Sequence, residues 1–166
     1  MRMRYVIRER ILSIGDDFWI TDERGTRVFL VDGKALRLTE TFELKDSSGA
    51  VIATIHKRLL SMRGTLEIEH DGAVIATVRR ALISPLRHRS VIDLSDGSQL
   101  EAVGNILDKE FEIRGDAGTV ARISRSWFSI RDTYGVDVAP GENDVLILAI
   151  AICLDQIHQE EQRHDR

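Results

Sequence analysis

A dense group of basic side chains between residues 57 and 89 is the feature of this sequence that most suggests chemistry. Seven cations and three acids give this stretch a net charge of +4, whereas the whole chain carries −4. Guanidinium and ammonium groups gathered at one end of a sheet can bind the phosphate groups of a lipid, a nucleotide or a nucleic acid. The alternative is a set of solvated loop charges, partly paired with acids. The group, which we call the basic rim, consists of Lys57, Arg58, Arg63, Arg79, Arg80, Arg87 and Arg89.

The histidines do not form a recognisable metal site. His158, Glu161 and His164 share only helical spacing within a polar segment, and the sequence contains no C-x-x-C or H-E-x-x-H motif. His70 precedes an Asp-Gly turn, and His56 lies in a predicted strand. We therefore expect no metal and no cofactor.

Nucleophiles and acid–base pairs are equally sparse. Cys153, the only cysteine, lies inside an apolar run, where a thiol acts as a small hydrophobic group. Ser124 and Ser126 lack the nucleophile-elbow pattern. Most carboxylates fall in predicted turns, as Asp46 and Asp96 do, where they accept hydrogen bonds from the turn backbone. The sequence thus predicts no catalytic residues and a protein that is not an enzyme.

Regularly spaced turn signals indicate the elements that position these residues. Each turn glycine is flanked by alternating apolar segments, such as TLEIEH and AVIATVRR around Gly72, and supplies the positive φ of a tight hairpin. Five hairpins, with further strands at Arg4–Glu9 and Trp127–Val138, make about twelve antiparallel strands. In such a meander alternate strand ends meet at one end, which would bring the basic rim together. The turn glycines are Gly25, Gly49, Gly72, Gly97 and Gly118.

The apolar run VLILAIAICL, residues 145–154, predicts a buried helix over about 142–158, followed by a polar tail at 159–166. Ten residues are too few to span a membrane, which takes about 20. A helix that is apolar on every face must be surrounded by protein. A two-sheet sandwich would fill its own core, whereas a closed barrel of about twelve strands is wide enough to enclose a helix. The predicted helix core is Val145, Leu146, Ile147, Leu148, Ile150, Ile152 and Leu154.

The strand residues expected to face this helix follow from the alternation of apolar and polar side chains. Where neighbouring residues are both apolar, as in Val74 and Ile75, the alternation leaves the inward member open. The expected inward residues are Phe42, Leu44, Ile52, Leu66, Ile68, Ile75, Leu94 and Phe111.

The end of the chain resembles a known family. A glycine-punctuated meander leads into D-x-Y-x-V-x-V, then P-G-E-x-D and an apolar helix ending in L-D-x-I, and this pattern is similar to the bacterial LURP-one-related proteins. That family resembles the tubby C-terminal domain and, more distantly, phospholipid scramblases. The resemblance implies a twelve-stranded barrel around a C-terminal helix and little about activity, and no match to the basic phosphoinositide site of tubby domains is present. The residues that carry it are Asp132, Tyr134, Val136, Val138, Pro140, Gly141, Glu142, Asp144, Leu154, Asp155 and Ile157.

Composition narrows the function classes. A pI near 5.7 and the lack of aromatic residues among the rim cations disfavour a nucleic-acid partner. With one cysteine, no predicted signal peptide and no predicted transmembrane segment, we expect a cytoplasmic protein that could lie at a membrane surface. The favoured hypothesis is a non-catalytic binding module for anionic phospholipid head groups or another phosphate-bearing ligand. The alternative is a protein-interaction scaffold of unknown partner, and the sequence favours no particular oligomeric state.

Overall fold

Twelve strands form the wall of the molecule. The computed structural model describes residues 2–8, 17–33, 41–57, 65–81, 88–105, 110–125 and 133–164. Within these residues the strands close into an antiparallel barrel in the order β1-β12-β11-β10-β9-β8-β7-β6-β5-β4-β3-β2. The predicted fold class is therefore confirmed. The strands are β1 (Met3–Arg8), β2 (Phe18–Asp22), β3 (Arg27–Asp32), β4 (Thr41–Asp46), β5 (Val51–Lys57), β6 (Leu66–His70), β7 (Ala73–Arg80), β8 (His88–Leu94), β9 (Gln99–Asn105), β10 (Glu110–Gly115), β11 (Gly118–Ser124) and β12 (Thr133–Val138).

One helix is present in the described residues: α1 (Asp144–His164) runs through the barrel and packs against β5, β6, β7 and β12. The Asn143 side-chain oxygen accepts a hydrogen bond from the Leu146 backbone N–H at 3.1 Å, which caps the first turn. The helix starts two residues later than predicted. It continues six residues beyond the predicted end, because Gln, Glu and Arg in the expected polar tail are good helix formers.

The buried face of α1 matches the predicted helix core over most of its length. Ile147 through Leu154 are at most 4% exposed, and Ile157 extends the buried surface by another turn. Val145 and Leu146 lie at the mouth of the barrel, where they pack against the core but stay partly exposed. No helix in the described part of the chain is long and apolar enough to cross a membrane.

The strand interior is apolar, as expected, although bulges shift two of the expected residues. Phe42, Leu44, Leu66 and Ile68 are buried. The pairing register shifts just after the β4–β5 and β6–β7 turns, so that Ile52 and Ile75 each occupy the extra position of a β-bulge. These two residues pack against the core from its margin, as Leu94 and Phe111 also do, and stay partly exposed.

The two ends of the barrel differ in their connections. The hairpin end carries the tight turns after β2, β4, β6, β8 and β10, and the loop end carries the connections after β1, β3, β5, β7, β9 and β11. At the hairpin end Asp46 Oδ1 accepts hydrogen bonds from the backbone N–H groups of Ser48 and Ala50. Asp22 and Asp96 bind their own turns in the same way, which confirms the structural role predicted for the turn carboxylates.

Candidate functional site

The basic rim is only partly within the described residues. Arg58, Arg63 and Arg87 lie outside them. Lys57 ends β5, Arg79 and Arg80 end β7, and Arg89 is the second residue of β8, so these four cations all lie toward the loop end. The structure thus places the four described members at the same end of neighbouring strands, as the meander predicted.

Arg79 and Arg89 each pair with a carboxylate on the outer wall of the barrel. Arg79 Nε lies 2.9 Å from Asp93 Oδ2, and Arg89 Nε lies 2.8 Å from Glu101 Oε1. The hydrogen bond from Arg79 lowers the pKa of Asp93 below its usual value, with Gln99 adding to the effect. Arg79 and Arg89 therefore pair across strands instead of projecting from the loop end.

Lys57 and Arg80 occupy a different position. Lys57 continues the inward-facing series of Ala53 and Ile55 in β5, and Arg80 continues that of Ala76 and Val78 in β7. Each cation lies at the end of its strand, where this series reaches the opening of the barrel. Lys57 is partly buried and Arg80 is exposed. Strands β5 and β7 are separated only by β6, so these two cations mark the mouth of the barrel at the loop end.

The described histidines take part in contacts across the strands. His56 Nδ1 lies 3.1 Å from Thr41 Oγ1, and Nε2 lies 3.0 Å from Glu69 Oε2 without the alignment of a hydrogen bond. His70 Nδ1 lies 2.8 Å from the Ile52 carbonyl oxygen. Within the described ranges no three His, Cys, Asp or Glu side chains are grouped so that they could hold a metal ion. For His158, Glu161 and His164 the structure describes the helical backbone and not the side chains, so the predicted absence of a metal site there stays a prediction.

Cys153 is completely buried in the middle of α1. Burial raises the pKa of its thiol well above the usual value, because no water stabilises the thiolate. The thiol is therefore neutral and enclosed, which confirms its interpretation as a hydrophobic core residue.

Two interactions that sequence reasoning missed close the barrel around the helix. Arg4 donates from Nε and Nη2 to the two carboxylate oxygens of Asp137 at 2.8 and 3.1 Å, which joins β1 to β12. The buried Tyr5 hydroxyl donates to Asp144 at the start of α1. The signal was present in the sequence, since Asp137 interrupts the apolar strand TYGVDV and Asp144 opens the helix.

A second cationic surface, also missed, surrounds Trp19 on the outer wall of β1, β2 and β3. Trp19 alternates with the buried Phe18 and Ile20, so its indole faces outward. The guanidinium carbon of Arg27 lies 5.5 Å from the centre of an indole ring. The tryptophan inside the alternating segment FWITD was the available signal.

Comparison with known proteins agrees with this architecture. The family model described as LURP-one-related matches residues 3–155. The chain is 26% identical over 151 residues to the uncharacterized protein YxjI of Bacillus subtilis (strain 168), with 91% of each chain covered. It is 23% identical to the protein LURP-one-related 15 of Arabidopsis thaliana, over 95% of this chain and 80% of that protein.

A solved structure resembles the barrel as well. An X-ray structure of an Arabidopsis thaliana protein superposes with a TM-score of 0.71 at 19% identity, covering 94% of this chain and 91% of that one. At this level of identity the likeness concerns the fold alone.

Proposed function

The chain belongs to the LURP-one-related family, and we propose that it is a non-catalytic module that binds anionic phospholipid head groups at the loop end of the barrel. The observation that carries the proposal is the filled interior. Buried residues of α1 and of the strands form one continuous core, so the space in which many barrels hold a ligand is occupied by the protein's own helix. A ligand must then be bound on the outer surface.

The charge at the loop end supports an anionic ligand. Lys57 and Arg80 lie at the barrel mouth, and the sequence adds Arg58, Arg63 and Arg87 in the adjoining connections. Cations near an anionic lipid surface each contribute about 1 kcal/mol to binding. The carboxylate partners of Arg79 and Arg89 would have to be displaced or left beside the lipid, which limits what these two cations add. The protein would act in the cytoplasm, at the periphery of a membrane.

A non-catalytic role is supported by the state of the reactive groups. The Cys153 thiol is enclosed in the core, and the carboxylates of Asp22, Asp46 and Asp96 are engaged by their own turn backbones. A general base needs access to a substrate proton, and a nucleophile needs exposure. We propose that these groups serve the fold and that no covalent chemistry takes place.

Vesicle co-sedimentation tests the proposal. Full-length protein is mixed with vesicles of phosphatidylcholine alone or of phosphatidylcholine with phosphatidylserine. We expect binding only to the anionic vesicles, weakened by salt. Lys57→Glu with Arg80→Glu should reduce the apparent affinity by more than about 30-fold, because two attractive charges become repulsive.

The matched control is Arg24→Glu with Arg114→Glu. Both residues are exposed at the hairpin end, and the net charge changes by the same amount. The control should bind within about threefold of the wild type, since distant charges act only through the screened field. Equal losses of affinity in the two double variants would show that overall charge, and not the position of the cations, determines binding. A wild-type protein that binds equally with and without phosphatidylserine would refute the proposed binding of anionic lipid.

A further inference from the structure

Trp19 lies on the outer wall of the barrel beside another apolar residue. The register of β2 and β3 pairs Trp19 with Leu30, and both side chains are partly exposed on the outward face. Large apolar side chains that face water on a barrel wall bring no benefit to the core, which Phe18 and Ile20 already fill from the other face of β2. A tryptophan in this position suits a boundary between water and an apolar phase, where the indole ring is favoured.

One arginine contacts the indole, and the strand register points to a second one beside it. Arg27 stacks near the ring. Val6 of β1 pairs with Thr21 of β2, and extending this register by two residues would set Arg8 opposite Trp19. Both arginines are exposed, and among the described residues neither is in an ion pair. We call Arg8, Trp19, Arg27 and Leu30 the Trp19 patch.

Several other cations of the described wall are ion-paired. Lys45, Arg79, Arg89 and Arg114 each lie within 3.1 Å of a carboxylate oxygen. Arg8 and Arg27 have no ion pair among the described residues, so they leave positive charge near a partly exposed aromatic ring.

We propose that the Trp19 patch is the part of the barrel wall that contacts an anionic membrane, with the indole at the level of the lipid head groups and Arg8 and Arg27 on the phosphates. This rests on the proposed function and names a surface for it. Arg8 ends β1 and Trp19 is the second residue of β2, so both lie toward the loop end, as Lys57 and Arg80 do. Arg27 opens β3 and lies toward the hairpin end, so the patch extends along the wall, and the wall of β1–β3 is the face that would lie against the bilayer.

Tryptophan fluorescence isolates the patch. The chain has two tryptophans, so Trp127→Phe leaves Trp19 as the only indole. On addition of phosphatidylserine-containing vesicles we expect a blue shift of Trp19 emission and quenching by brominated phosphatidylcholine. As a second readout that does not depend on the Trp127 substitution, Trp19→Phe in the wild-type background should remove most of the shift seen with the unmodified protein.

Binding by charge variants completes the test. Arg8→Gln with Arg27→Gln should weaken co-sedimentation about 30-fold, because two lipid-facing charges are lost. Arg114→Gln with Arg122→Gln removes the same charge from exposed positions on β10 and β11, where both arginines act on Glu112, and should stay within about twofold of the wild type. Melting curves confirm that each variant is folded.

The outcomes separate this inference from the function on which it rests. If the protein binds anionic vesicles while Trp19 emission is unchanged and the Arg8, Arg27 variant binds like the wild type, the patch is not the contact and the loop-end proposal survives. If the Arg114, Arg122 variant loses as much affinity as the Arg8, Arg27 variant, the position of the charge is not what selects the surface and the inference is wrong. If no variant and no wild-type protein binds anionic vesicles, both proposals fail.

Discussion

The interior and the outer wall of this barrel are built from the same strands but follow different rules. Inside, Ile7, Ile20, Ile55, Ile68 and Ile113 are at most 1% exposed and surround a helix without a polar side chain between Val145 and Leu154. Outside, the wall alternates carboxylates with cations, as in the Arg79–Asp93 and Arg89–Glu101 pairs. The interior is therefore fixed by packing, whereas the wall is free to vary in charge.

The difference shows where function can be encoded. Packing allows few changes inside, because every side chain touches the helix or a neighbouring strand. A wall residue costs little stability when it changes, so a wall residue that breaks the local pattern calls for a reason beyond the fold. Trp19 with Arg8 and Arg27 is such an exception, and Lys57 and Arg80 at the barrel mouth are another.

The largest expected effect is on the interior. Leu148→Ala removes a side chain that is 0% exposed at the centre of the barrel, and it should lower the free energy of unfolding by about 3 kcal/mol. Val74→Ala removes apolar atoms from a side chain that is 41% exposed on the outside, and it should change that free energy by less than about 0.5 kcal/mol. Urea unfolding of both variants measures the contrast. Similar losses would mean that inside and outside are not energetically distinct.

The interior was also the part that the sequence predicted well. An apolar run too short for a membrane and too apolar for a surface helix predicted a buried helix, and the glycine-marked hairpins predicted the barrel wall around it. The same reasoning could not foresee that Ile52 and Ile75 would be bulge residues, because a bulge depends on pairing across two strands and leaves the local alternation unclear. The continuation of α1 to His164 was missed because a polar composition was interpreted as an end of the helix.

An intermediate effect is expected where the interior meets the helix start. Tyr5 is buried and donates to Asp144, and burial first, then this hydrogen bond, raises the pKa of the Tyr5 hydroxyl. Tyr5→Phe should cost about 1.5 kcal/mol at neutral pH, because a hydrogen bond to a charged acceptor is lost. Because the pKa of Tyr5 is raised in the folded state, the protonated hydroxyl stabilises the fold at pH values below the ordinary tyrosine pKa of about 10. This contribution is lost as the pH rises above about 10 and through the folded-state pKa.

Unfolding followed from about pH 7 to 11 provides the check. The wild type should lose stability in the alkaline range faster than Tyr5→Phe, so the gap between them should narrow. Tyr134→Phe serves as a second comparison, because burial also raises the pKa of the Tyr134 hydroxyl and the sign of the effect is the same. A gap that widened with pH would contradict the assignment of a neutral, buried Tyr5.

The candidate site was less predictable than the core for a physical reason. Net charge along the sequence found the loop-end cations, but ion pairing is set by the register between strands, which the sequence does not give. Asp93 and Glu101 are 14 and 12 residues from the arginines they neutralise. The same limitation concealed the Trp19 patch, whose significance depends on Arg8 and Arg27 having no ion pair among the described residues.

The smallest effect is expected for substitutions on the wall. It should distinguish cations that have an ion pair from cations without one among the described residues. Arg79→Gln should lower the free energy of unfolding by only a few tenths of a kcal/mol, since the Arg79–Asp93 pair is exposed and screened. The pKa of Asp93 is lowered by Arg79, so the stabilisation is present above the unfolded value of about 4 and is lost as the pH falls through the folded value. The gap between wild type and Arg79→Gln should therefore close on acidification and in high salt. Arg27→Gln, which removes a cation with no ion pair in the described residues, should show no acid dependence of its own; if it does, the Trp19 patch has a carboxylate partner in solution and the division of the wall is wrong.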